Sequence, residues 1–198
     1  MLSSLRHGLV APLALAALAT SGLAAVTSGA LFTDSTSISA SPFTTGTVKL
    51  AAAPASSALS IGNMAPGGDK VSPINVSNTG SLAERYSVTA TAENADGKNL
   101  SAALRATIKT GVTNCTEAGF DADGTVIYGP GSVGTPAGVS VVGDPAQGQQ
   151  TGDRILAAGA SETLCVKVLL PSTAGNSLQA ASTTVGFKFD SEQVTNNP

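Results

Sequence analysis

Tyr86-Ser87-Val88-Thr89-Ala90-Thr91-Ala92 alternates apolar and polar residues without a break. Successive side chains of a strand point to opposite faces, so this period puts Tyr86, Val88, Ala90 and Ala92 inward and Ser87, Thr89 and Thr91 outward. Residues 163–170 repeat the pattern, with Leu164, Val166, Val168 and Leu170 in register. So do residues 183–189, through Val185, Phe187 and Phe189, and residues 105–110, through Ala106 and Ile108. Shorter strands are expected over 44–50, 58–61 and 71–76. In the last, Ile74 and Val76 share a face and Pro73 points to an edge or bulge. Helical turns are expected over 100–104, capped near Asn99, and over 176–181. Short strands rich in Thr and Val, parted by Gly, Pro, Asn and Asp, predict an all-β fold. The expected architecture is a two-sheet antiparallel sandwich of jelly-roll type with short helical turns.

Residues 129–152 break the rhythm, with seven Gly and three Pro in 24 residues. Continuous regular structure is not expected there, although 138–142 can pair briefly. The stretch reads as one long, flexible surface loop between the cysteines, either a binding loop or a tolerated insertion.

The first thirty residues read differently. An apolar run, Leu9 to Ala19, follows Arg6 and His7. It is shorter than the roughly 20 residues a bilayer anchor needs. A basic start, a brief apolar core and a small-x-small end describe a secretory signal peptide. Ser28 and Ala30 supply the small −3 and −1 residues, so cleavage is expected before Leu31. Residues 1–30 are then the signal and residues 31–198 one domain of 168 residues (198 − 30). Without Arg6, nine Lys and Arg stand against thirteen Asp and Glu, a net charge of −4 (9 − 13). With no basic stripe and no Trp, nucleic-acid binding is unsupported. No second long apolar run or apolar tail follows, so no stable membrane anchor is expected in the mature chain, and the expected location is outside the cell.

Cys115 and Cys165 form an even pair in an exported chain, which favours a disulfide. Closing a loop of fifty steps (165 − 115) would contribute roughly 4 kcal/mol on the chain-entropy estimate. Two buried free thiols are the alternative. His7 is the sole histidine, and it lies in the signal. The mature chain therefore has no residues for a His-based zinc site, a Ser-His-Asp triad or a Cys-His dyad. Asp121-Ala122-Asp123-Gly124 resembles the start of a calcium loop, but position 12 is Ser132 rather than Glu. It reads as a turn, as do Asp69 and Asn78. No catalytic residue, metal ligand or cofactor is expected.

Residues 31–50 hold Leu31, Phe32, Ile38, Phe43 and Val48 among Ser and Thr, with Asp34 and Lys49 as the charges. Such a segment has high strand propensity. It can lie on its own sheet as a first strand, or detach and fill the edge of a neighbouring subunit.

Four phrases occur in order: Leu31-Phe32-Thr33-Asp34, Phe43-Thr44-Thr45-Gly46-Thr47-Val48-Lys49-Leu50, Asn63-Met64-Ala65-Pro66-Gly67-Gly68-Asp69 and Val76-Ser77-Asn78-Thr79-Gly80-Ser81-Leu82. Together they resemble the TasA/camelysin family, whose signal peptides are cut by a SipW-type peptidase. The Pro-Gly-Asp turn of that family carries an extra glycine here. The resemblance implies a secreted fibre subunit of biofilm matrix, self-associating by exchange of the N-terminal strand, with cell-surface or matrix partners. It also brings the metalloprotease activity associated with camelysin, which the missing histidine disfavours. A non-catalytic structural protein is the expected role. A camelysin-type hydrolase and a monomeric surface binding module are the alternatives.

Cleavage gives the first test. N-terminal sequencing of secreted protein should begin at Leu31, within a residue or two. A start at Met1 in culture fluid would contradict the export reading.

Overall fold

In the computed structural model, residues 46–54 and 64–197 are described, and all of them belong to one compact unit that begins at Gly46. Among the described residues nine strands run in chain order: β1 (Leu50–Ala53), β2 (Asp69–Asn78), β3 (Glu84–Glu93), β4 (Arg105–Thr110), β5 (Thr125–Ser132), β6 (Val139–Val142), β7 (Arg154–Leu156), β8 (Ser161–Leu169) and β9 (Thr184–Gln193). Two short helices, α1 (Leu100–Ala103) and α2 (Glu117–Ala122), and a 3-10 turn (Asn176–Leu178) decorate them.

The first sheet has the order β1-β2-β8-β4-β5. The second is built on β3. β9 pairs with β3 along its whole length, Glu84↔Gln193 to Glu93↔Thr184. The other side of β3 is shared by β7, at Glu84–Tyr86, and β6, at Val88–Ala90. All ladders are antiparallel. The expected two-sheet antiparallel sandwich is therefore present.

Alternation explains the core. Tyr86, Val88, Ala90 and Ala92 of β3 face Ile74 and Val76 of β2, Leu164, Val166 and Val168 of β8, and Ala106 and Ile108 of β4 in one cluster. The outer face of β3 departs from expectation, because Arg85 and Ser87 are also buried. The turn after β6 lies over them: Asp144, Pro145 and Asp153 line a small hollow with Arg85 and Ser87. The Gly148 N–H donates to Glu192 of β9.

Residues 129–152 are more ordered than their composition suggests. β5 runs on through Gly129–Ser132 and β6 occupies Val139–Val142, while Val133, Val141 and Val142 enter the core. Their glycines serve turns and close backbone approaches within a packed segment, so the flexible-loop expectation does not hold. Two further expectations shift. The first strand begins at Leu50 rather than Thr44. Asp69 opens β2 and pairs with Lys167 at 3.1 Å instead of forming a turn. The expected strand over 58–61 lies outside the described residues.

The cysteines are joined, with Cα atoms 5.5 Å apart. Cys165 lies on the outer face of β8, between the core-facing Leu164 and Val166, and Cys115 just precedes α2. The bridge thus ties α2 to the outer surface of the first sheet. Phe120 of α2 is buried there, with Lys109 Nζ 4.7 Å and Lys167 Nζ 5.2 Å from its ring centroid. Lys167 is also 2.8 Å from Asp121, which raises the lysine pKa, and the same hydrogen bond lowers that of Asp121. Asp123 accepts hydrogen bonds from the Thr113 backbone and hydroxyl. The Asp-rich phrase at 121–124 is therefore spent on structure.

Alkylation without reductant should add no label to the folded protein; two labels would contradict the bridge. Replacing both cysteines by alanine should lower the unfolding free energy by roughly 2–5 kcal/mol in a denaturant titration.

Candidate functional site

Of the residues proposed for assembly, Leu31, Phe32, Ile38 and Phe43 lie outside the described residues, as do Ser28 and Ala30 of the cleavage signal. Val48 is described and stands 38% exposed, just before β1. It belongs to a short strap, residues 46–49, that carries the chain from the N-terminal segment onto the domain.

The strap is stitched to the turn Asn78-Thr79-Gly80-Ser81-Leu82. The Thr47 N–H donates to Ser81 Oγ at 2.9 Å, and the Ser81 N–H donates back to the Thr47 carbonyl at 2.9 Å. The Thr79 N–H and hydroxyl both donate to the Lys49 carbonyl, at 2.8 and 3.0 Å. A Cβ on Gly80 would collide with the Thr47 carbonyl oxygen, so glycine is required for the strap to approach.

Asn78 holds the turn from below. Its side chain is buried, donates to the Leu82 and Leu156 carbonyls at 2.8 and 3.1 Å, and accepts from the Gly80 N–H at 2.9 Å. Reading Asn78 as a turn former was correct. That the turn is also a docking platform follows from tertiary contacts, and a sequence read in one dimension lacks them.

Beyond the strap, β1 covers just Asn75–Asn78 of β2. Among the described residues, the outer edge of β2 from Asp69 to Ile74 has no strand beside it. β1 also comes close to β9, which places that bare half-edge and the outer edge of β9 on the same flank.

Sheet edges invite pairing with other chains, and proteins blunt them with short strands, prolines and bulges. Most edges here are blunted. β1 has four residues and stops at Pro54. β5 contains Pro130, and its ladder to β4 shifts register twice. β6 and β7 have four and three residues. β2 is interrupted at its bare half by Pro73, which has no N–H to give.

β9 is neither short, bulged nor broken by proline, and its edge protection is limited to charges, Lys188, Asp190 and Glu192. It is ten residues long and keeps unbroken register with β3. Its inward side chains Val185, Phe187 and Phe189 pack on the core yet remain only partly buried. Val88 and Ala90, their neighbours on β3, are 1% and 0% exposed. Among the described residues β9 pairs with β3 alone, and β1 comes close to it without pairing.

Between α1, the end of β8 and the 3-10 turn, the described residues leave a cavity of about 460 Å³. Leu100, Leu104, Leu170, Met64, Leu178 and Ala181 form its apolar wall. α1 supplies two of them. Its N-cap position is Asn99, as expected, but the capping oxygen is that of Asn94, which accepts from the Ser101 N–H at 2.9 Å.

Both cysteines are in the disulfide, the single histidine is His7, and among the described residues no three His, Cys, Asp or Glu side chains gather closely enough to hold an ion.

A family model described as camelysin metallo-endopeptidase matches residues 4–128, and the chain belongs to that family, the TasA/camelysin family. No curated protein matches the chain. Among the described residues no helix is long and apolar enough to cross a membrane.

The Asn78 platform can be tested directly. Asn78→Ala removes three hydrogen bonds and leaves buried backbone groups unmet, each worth roughly 1–3 kcal/mol. Chemical denaturation should show a loss of several kcal/mol. A loss below about 0.5 kcal/mol, the size of a neutral surface change, would contradict the role assigned to it.

Proposed function

We propose that this member of the camelysin family is a secreted, non-catalytic structural subunit that self-associates by strand addition into extracellular or cell-surface fibres. The observation that carries the reading is the β9 edge: ten residues without proline or bulge, with three apolar side chains left half-buried. The donor is the segment 31–45, which joins the domain at the strap. Its Leu31, Phe32, Ile38 and Phe43 are the side chains an incompletely covered flank would take up. An added strand contributes main-chain hydrogen bonds along its whole length and inserts alternate side chains into the groove beside the edge. The same segment can close the flank of its own domain, and the two arrangements differ in what a mutation does.

The family description carries a second reading, a metallo-endopeptidase. The donor inventory does not fit it: no histidine remains after His7 and both thiols are spent. A caseinolytic assay with and without chelator, on purified protein, separates the two readings.

Phe43→Asp places an unpartnered charge where an apolar side chain would be buried, at a cost exceeding the lost contact. If the strand is donated between subunits, sedimentation velocity should show a folded monomer at concentrations where the parent forms oligomers. If it closes its own domain, Tm should fall with no assembly phenotype. A variant that assembles and melts like the parent would overturn both arrangements.

A further inference from the structure

The cavity beside α1 is walled from two sides. On the inner side are Leu100 and Leu104 of α1 and Leu170 at the end of β8, which are 7%, 0% and 5% exposed. On the outer side the stretch 174–181 arches over them. The arch presents Leu178 and otherwise small residues, Ala174, Gly175, Ala180 and Ala181, so about 460 Å³ stays open. Protein interiors pack to crystal-like density, and few voids exceed one water molecule. A hollow of this size instead falls within the range of small-molecule sites, roughly 300–1,000 Å³.

The arch is pinned from outside. Asp96, in the turn between β3 and α1, accepts from the Ser182 N–H at 2.6 Å and from its hydroxyl at 3.3 Å. Lys98 Nζ donates to the Gln179 carbonyl at 2.7 Å. Between these tethers Ala180 holds a φ of 55°, a left-handed conformation that residues other than glycine seldom take. The hollow is therefore formed before anything enters it.

Its lining selects the chemistry. No lining side chain is charged and none is aromatic, so a nucleobase or a sugar ring finds no face to stack on. Leucine, alanine and Met64 suit a flexible alkyl chain. Asn176 and Gln179 supply the polar side chains of the lining. The exposed Lys98 stands beside Gln179, with one of its three donors used there. Asp96 is committed to the Lys98 backbone N–H and to Ser182, which leaves the ammonium available to an anion.

We infer that this cavity binds a free fatty acid, with the alkyl chain against Leu100, Leu104, Leu170 and Leu178 and the carboxylate at the rim beside Lys98. The site lies within one domain and does not depend on the fibre reading.

Calorimetric titration of the mature protein with octanoate, decanoate and 1-decanol, each below its aggregation limit, tests this. Each buried methylene should tighten binding about fourfold, so decanoate should bind roughly fifteenfold more tightly than octanoate, at one per chain. Lys98→Gln should weaken decanoate about two- to fivefold and leave decanol unchanged. Ala181→Leu should fill the hollow and weaken both at least tenfold without lowering Tm. Absence of saturable binding by the parent would overturn the site, and another part of the chain or a second copy would then be the occupant. Binding without chain-length dependence would overturn it too, as would a folded Ala181→Leu that binds like the parent. Equal losses of decanoate and decanol in Lys98→Gln would overturn the placement of the carboxylate. Co-sedimentation with phosphatidylcholine vesicles, without binding of free decanoate, would assign the chain to a membrane lipid and overturn the free acid. The parent titrations decide the matter even if neither variant folds.

Discussion

The outward N–H and C=O groups of an edge strand must be met by water or by another strand. That constraint organises this domain. Among the described residues, each other edge is short, irregular or interrupted by proline, while β9 is long and regular, on the flank where β1 pairs with just half of β2. The Thr184–Gln193 ladder of β9 to β3 keeps one register along its whole length.

The strap makes this geometry directional. Residues 46–49 are fixed on the Asn78–Leu82 turn by reciprocal hydrogen bonds, and Gly80 lets the two backbones touch. The disulfide acts on the opposite face of the first sheet, where it holds α2 and Phe120 against β8. Covalent stapling and the open flank are thus kept apart. Tyr86 illustrates how firmly the interior between them is set. Its hydroxyl donates to Glu162 at 2.9 Å, and Arg154 closes on the same carboxylate. Burial, with the nearby Glu162 charge, pushes the Tyr86 pKa far up.

Much of the fold was legible in the sequence because half-buried strands print a period of two. β3, β4, β8 and β9 each bury one face, and each was read from alternation. β5 was hidden by Gly129-Pro130-Gly131, β7 by its three residues, and α2 because its end, Asp121-Ala122-Asp123-Gly124, read as a turn. The first strand was placed too early because the strap shares its composition. The buried Arg85 and Ser87 were missed because their cover comes from a distant turn. The burial of Glu84 could have been found: carrying the Tyr86, Val88, Ala90 alternation back by two residues puts it on the core face. The open edge could not have been found, since strand order is a property of pairing and not of any single segment. Identity followed from short phrases in a fixed order, while the role those phrases serve at the strap needed three dimensions.

The central claim is that β9 accepts a strand. Amides along an antiparallel strand point alternately toward one neighbour and the other. Those of β9 that face β3 should be protected from hydrogen exchange in monomer and assembly alike. The alternate set, facing outward, should exchange quickly in the monomer lacking residues 31–45 and become protected when full-length mature chains assemble. Outward β9 amides that exchange equally fast in monomer and assembly would contradict the account.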